Sequence, residues 1–229
     1  MAAAPSTATA ANAQPTATPA SAQPTQTAAA AQAANPTSTG SGSRLEFRAG
    51  NSRSGWLDNQ SSTAWFAPDG YHLFARQAGL FVAVGLPDAR CTADVQVTAT
   101  FQKVGGPGGG GYGIVVRDQG PPPRDGLNQG GRYYVLEVGD LGQVGIWRRE
   151  GNQWIDILPW TDSRSVRTGG TPNTLVVRAV GSTLSLAVNG GPVVSATDPT
   201  LDNGCVGLFV GGDQNEALLT GLTVEALSP

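Results

Sequence analysis

The sequence predicts an all-β, antiparallel two-sheet sandwich preceded by an extended low-complexity tail. Three observations predict it. Beyond Leu45, apolar and polar residues alternate with period two, as in strands that bury one face. Glycine (32) and proline (16) are abundant while charged residues make up 14% of the chain. Ordinary soluble domains hold about 25% charged residues, and this balance favours a turn-dense β protein over helices. The first 43 residues contain no Asp, Glu, Lys or Arg and cannot build a core.

The chain therefore divides into an Ala/Pro/Thr/Ser-rich linker or stalk, residues 1–43, and one domain, residues 44–229. A domain of that length buries roughly 70% of the surface its unfolded chain exposes. In the tail, Pro-Thr-x-Thr recurs from Pro15, Pro24 and Pro36. Proline fixes φ and threonine resists helix, so these pieces favour extended conformations. Such a tail serves as a tether. Its hydroxyls also suit it to an O-glycosylated stalk, and an extended segment can add as a strand to a neighbouring sandwich, although Ala and Thr would fill such a groove poorly.

The clearest strand is "TADVQVTATFQKV", where Ala93, Val95, Val97, Ala99 and Phe101 alternate with polar residues. Further runs are "YGIVVRD", "RYYVLEVGD", "QVGIWRRE", "NTLVVRAVG", "STLSLAVNGG", "GPVVSATD", "GCVGLFVGG" and "ALLTGLTVEAL". Their separators are turn residues. Asn189-Gly190 suits a type I′ hairpin, with φ > 0 at both positions, and Gly181-Ser182 suits type II′.

Composition excludes several classes. A net charge of -3 with no Lys/Arg run offers no footprint for a phosphate backbone, so no nucleic-acid partner is expected. No apolar run is long enough to insert in a membrane. The opening residues have neither a basic nor an apolar signal region, so a signal or anchor is expected outside this chain. The glycine run Gly106–Gly111 formally satisfies G-x-G-x-x-G but leads into a strand instead of a helix, which removes the dinucleotide reading. His72 has no second His or Cys nearby to complete a zinc site and reads as an ordinary strand residue.

The stretch from Tyr133 to Gly212 resembles the concanavalin A-like lectin/glucanase superfamily, and within it the laminin G-like and keto-disaccharide-hydrolase-like modules of bacterial extracellular proteins. The pieces that carry the resemblance are the Gly151/Trp154 hairpin, "TGGTPNTL" leading into a strand, the Leu186-x-Val188-Asn189-Gly190 hairpin and the Gly204-x-Val206-Gly207-Leu208 strand. The resemblance implies a jelly roll of two curved sheets, whose concave sheet or rim loops hold sugar in relatives. Its motifs specify structure and not chemistry.

A retaining glucanase of this kind would need two carboxylates on one strand, about 5–5.5 Å apart. Glu137 stands alone in "YYVLEVGD", with Asp140 facing the other way, and Arg149 or Arg178 is available to pair with it. Catalytic residues are therefore not assigned. A sugar platform is. Period two puts Tyr133 and Glu137 on one side of their strand and Trp147 and Arg149 on one side of the next, with Trp154 just beyond. If these share the open face, they form an aromatic platform flanked by a carboxylate and a guanidinium. The competing reading is that the rings are packing residues.

Cys91 and Cys205, each at the start of a predicted strand, are expected to form a disulfide, with two buried thiols as the alternative. No cofactor is expected. Structural calcium is the one metal the sequence leaves open, at the Asp/Asn-rich turns "SGWLDNQ", "APDGYH" and "ATDPTLDNG", although Asp and Asn serve turns through their own backbone bonds. The functional expectation is a non-catalytic extracellular or cell-surface module that recognises carbohydrate or a cell-surface polymer. Its alternatives are a fibre or surface subunit that self-associates through the tail, and a keto-disaccharide-hydrolase-like glycosidase.

Overall fold

The computed structural model describes residues 44–48, 53–87, 91–121 and 124–228; the stalk expected over residues 1–43 lies outside them. Among the described residues fifteen strands follow one another. They are β1 (Arg44–Arg48), β2 (Ala64–Ala67), β3 (Gly70–Phe74), β4 (Val82–Gly85), β5 (Cys91–Thr92), β6 (Val95–Gly105), β7 (Gly111–Asp118) and β8 (Gly131–Gly139). Then come β9 (Gln143–Gly151), β10 (Gln153–Asp162), β11 (Asn173–Val180), β12 (Thr183–Val188), β13 (Val194–Thr197), β14 (Gly204–Gly211) and β15 (Glu216–Ala226). The described residues contain no α-helix.

The strands form two antiparallel sheets. Sheet A has eight, in the order β13-β12-β11-β6-β15-β3-β2, with β1 also on β15. Sheet B has seven, in the order β10-β9-β8-β7-β14-β4, with β5 also on β14. The non-consecutive neighbours, β6 beside β15 and β7 beside β14, are the crossovers of a jelly roll. The hairpin positions behave as their residues dictate: Asn189 and Gly190 both take positive φ (52° and 71°), and Gly181 takes 53°.

The alternation in β6 sends Val95, Val97, Ala99 and Phe101 into the core between the sheets and leaves Gln96, Thr98 and Thr100 outside. Tyr134, Leu136 and Val138 of β8 meet them from sheet B. β7 is buried along its whole length, because the outer face of sheet B is covered as well. A strand with both faces covered reads as a continuous apolar run, which explains "YGIVV".

Cys91 and Cys205 are register partners between β5 and β14 and are joined by a disulfide across a separation of 114 residues. The bridge, not the pair of free thiols, is what forms.

Candidate functional site

The outer face of sheet B carries a second apolar cluster, separate from the main core: Phe81, Ala83, Val115, Tyr133, Val135, Trp147 and Phe209, with Trp154 and Trp160 packed on it. Register explains its membership. β8 and β9 pair Tyr133 with Arg149, Val135 with Trp147 and Glu137 with Gly145, so all six side-chain positions point the same way. β10 then places Trp154 opposite Arg149. The structure thus brings all five sequence-predicted residues, Tyr133, Glu137, Trp147, Arg149 and Trp154, to one face.

That face is not the open platform the sequence suggested. Tyr133, Glu137 and Arg149 are 0% exposed and Trp147 is 1% exposed, whereas Trp154 and Trp160 are half-buried and form the cover. Arg178, the other expected neighbour of Glu137, lies on β11 in sheet A and cannot meet it. The reason is topological: β11 follows β10 in sequence but crosses to the other sheet.

Glycines make room for the rings. A Cβ at Gly145 would sit 2.8 Å from Trp147 Cζ2, and one at Gly139 would sit 3.1 Å from Trp160 Cζ3. At Gly111 it would meet Glu137 Oε2 at 2.4 Å and Trp160 at 3.2 Å. Indoles lying flat on glycine backbone bury ring area that the strand itself cannot cover. The rings also meet one another: Trp147 and Trp160 pair edge-on at 5.4 Å, as do Trp154 and Phe81 at 5.1 Å and Trp154 and Phe209 at 5.8 Å.

Charge enters this apolar layer at two points. Arg149 donates through Nε (3.0 Å) and Nη2 (2.7 Å) to the carbonyl of Gln129, and its guanidinium stacks 4.9 Å from Trp154 and 5.3 Å from Phe81. Burial pushes the Arg149 guanidinium below its ordinary value. Burial likewise pushes the Tyr133 hydroxyl up, beyond any working pH. Arg124 lies 4.6 Å over the Tyr133 ring and forms a two-pronged pair with Asp118 at 2.6 and 2.9 Å.

The face also holds buried polar atoms without a hydrogen-bond partner: Tyr133 Oη, Trp147 Nε1, Trp154 Nε1 and Arg149 Nη1. Each such group costs about 1–3 kcal/mol if left dry. Four on one patch make it a place where an acceptor from outside would be welcome.

Beside this face, loops before β2, after β3 and before β8 enclose a cleft of about 260 Å³ whose wall includes Phe81, Gln129, Arg76 and Ser62. A larger cleft of about 660 Å³ lies at the disulfide, lined by Asp118, Arg124, Asn203 and Cys205 among others.

The turns considered for calcium use their acids locally. Asp58 accepts from the Phe66 amide, Asp69 binds His72, and Asp198 takes the Thr200 amide at 2.8 Å, the Tyr134 hydroxyl at 3.0 Å and the Arg148 guanidinium. Among the described residues no three His, Cys, Asp or Glu side chains come together as a metal site. His72 does more than an ordinary strand residue. It bridges Asp69 (3.0 Å) and Glu216 (2.7 Å) and stacks on Trp65.

Sequence reasoning missed two further groups. Asp198, Tyr134 and Arg148 form a buried polar cluster that only the folding of the β13–β14 loop against β8 creates. Arg117, with positive φ (55°) and 1% exposure, donates to the carbonyls of Ala93, Leu201 and Gly181 and ties three loops together. Nothing in "VVRDQG" distinguishes that arginine from a solvated one.

No protein-family model and no curated protein matches this chain. Solved structures do. One is a carbohydrate-binding module, CBM66, from Bacillus subtilis, with a TM-score of 0.58 at 17% identity over 72% of this chain and 91% of that one. Another is a Bacillus subtilis protein of unknown function with a galectin-like fold, with a TM-score of 0.50 at 15% identity over 75% of this chain and 93% of that one. At these identities the likeness speaks for the fold alone, and the fold of this chain is a concanavalin A-like jelly roll.

Proposed function

We propose that this chain is a non-catalytic carbohydrate-recognition module of an extracellular or cell-surface protein, and that residues 1–43 tether it. One observation carries the reading. Four buried donor groups without partners, on Tyr133, Trp147, Trp154 and Arg149, lie among aromatic rings on one glycine-floored face. Sugars offer the complement, apolar C–H faces for rings and hydroxyl acceptors for donors. The similar Bacillus subtilis structure named as a carbohydrate-binding module supports it. The disulfide supports an oxidising compartment.

The glycosidase alternative receives less support. It requires a second carboxylate beside Glu137, and Asp140 is engaged with Lys103 and the Gly109 amide. The fibre alternative rests on the tail, which lies outside the described residues. A glycan array probed with the full chain tests the reading. Retention of defined glycans with no product formed supports it, and an array without retained glycan contradicts it.

A further inference from the structure

Arg149 is a wholly buried guanidinium whose contacts include no carboxylate. Its hydrogen bonds go to one carbonyl, that of Gln129, and the adjoining rings of Phe81 and Trp154 lie 5.3 and 4.9 Å from its guanidinium carbon. Among the described residues it forms no ion pair. The charge that acts on it is another cation, Arg124, which Asp118 pairs. Glu137 lies four residues from Tyr133, the cross-strand partner of Arg149, a distance of about 13 Å along β8. It is too far to serve as counter-ion.

A desolvated, unpaired cation is among the costliest things a fold can hold, and an anion arriving from outside would offset that cost. Around Arg149 Nη1 the other atoms lacking partners are Trp154 Nε1 and Tyr133 Oη, two more groups able to donate. Three groups able to donate, one of them a cation, match a carboxylate, whose two oxygens accept several charge-assisted hydrogen bonds.

The neighbouring cleft gives such a group its approach. Phe81 and Gln129, which touch Arg149, also form its wall. Its lining holds a second cation, Arg76, with the hydroxyl side chains of Ser61 and Ser62, and contains no Asp or Glu. Arg76 donates only to the carbonyls of Ser62 and Gln60, and forms no ion pair among the described residues. The Trp154 indole, which closes the face from the edge strand β10, is held by ring contacts and by the Arg149 guanidinium, and can shift without breaking a hydrogen bond.

We infer that the ligand is an acidic oligosaccharide, whose carboxylate reaches Arg149 from this cleft while Arg76 and the Ser61–Ser62 hydroxyls meet its outer sugar. This rests on the carbohydrate reading above and narrows it. The test is an array of matched uronate, sialylated, sulfated and neutral oligosaccharides probed with the full chain. The best acidic glycan and its neutral counterpart are then titrated by calorimetry at low and high salt.

The uronate or sialylated form binds at least tenfold more tightly than the neutral one, and the preference shrinks with salt. Arg76→Ala, an exposed change, lowers the preference several-fold. Trp154→Phe keeps a ring, removes the indole donor and weakens the acidic glycan more than the neutral one. Equal affinity for acidic and neutral forms, or tighter binding of sulfated glycans than of carboxylates, overturns the carboxylate inference and leaves the carbohydrate reading standing. A preference unchanged in both variants overturns the assignment to this cleft. Retention of no glycan at all overturns the reading on which the inference rests.

Discussion

The guanidinium of Arg149 lies 4.9 Å over the indole of Trp154, its register partner on β10. A cation placed against rings, without an acid, contributes less to stability than its many contacts suggest, because its desolvation opposes them. Replacing it with an apolar side chain of similar length removes that opposition.

Arg149→Met is therefore expected to leave the unfolding free energy within about 1 kcal/mol of wild type, or higher, while abolishing glycan retention. Urea unfolding and the array measure the two effects on the same preparation. A loss of several kcal/mol would instead mean that Arg149 holds the fold together.

Gly145→Ala tests the glycine floor. The added Cβ would stand 2.8–3.0 Å from three atoms of the Trp147 ring, and the ring must move. The expected cost is about 1–3 kcal/mol, with a change in tryptophan emission as Trp147 leaves its seat. An unchanged emission spectrum would show that the ring does not rest there.

Removing the disulfide with a Cys91→Ser, Cys205→Ser double substitution releases a loop closed over a separation of 114 residues. The chain-entropy model gives a loss of about 4–5 kcal/mol. Thermal unfolding of the oxidised wild type against the double variant measures it, and equal midpoints would contradict it.

Asp198 predicts a pH dependence. Burial pushes its carboxyl up, but the Thr200 hydroxyl and amide, the Tyr134 hydroxyl and Arg148 together outweigh burial and hold it below its ordinary value. A carboxyl depressed in the folded state contributes stability above its unfolded value, about 3.9, and loses that contribution as pH falls through the folded value. Asp198→Asn should cost about 2 kcal/mol at neutral pH, and the gap to wild type should narrow below about pH 4. A gap independent of pH would contradict this assignment.

How much of this was legible in the sequence follows from burial on one face or two. β6 alternates cleanly because one face is core and the other wet, and "TADVQVTATF" shows it. The split of Tyr133 from Tyr134 and of Trp147 from Arg148 was legible for the same reason. What period two cannot reveal is a cover. Trp154 and Trp160 sit on β10, an edge strand interrupted by register shifts and Pro159, so its pattern is irregular and it hides the two rings that close the face. Nor can local pattern place Arg178 in the opposite sheet, since crossovers between sheets leave no mark on strand periodicity.

The most direct test of the central claim, that the ring-covered outer face of sheet B meets carbohydrate, is NMR of the indole N–H signals during titration with a neutral and then an acidic oligosaccharide retained on the array. The account predicts that the Trp154 and Trp147 indole signals shift in proportion to occupancy while those of Trp56 and Trp65, packed in and beside sheet A, stay in place. Shifts confined to Trp56 and Trp65, or saturation with the Trp147 and Trp154 signals unmoved, would contradict it.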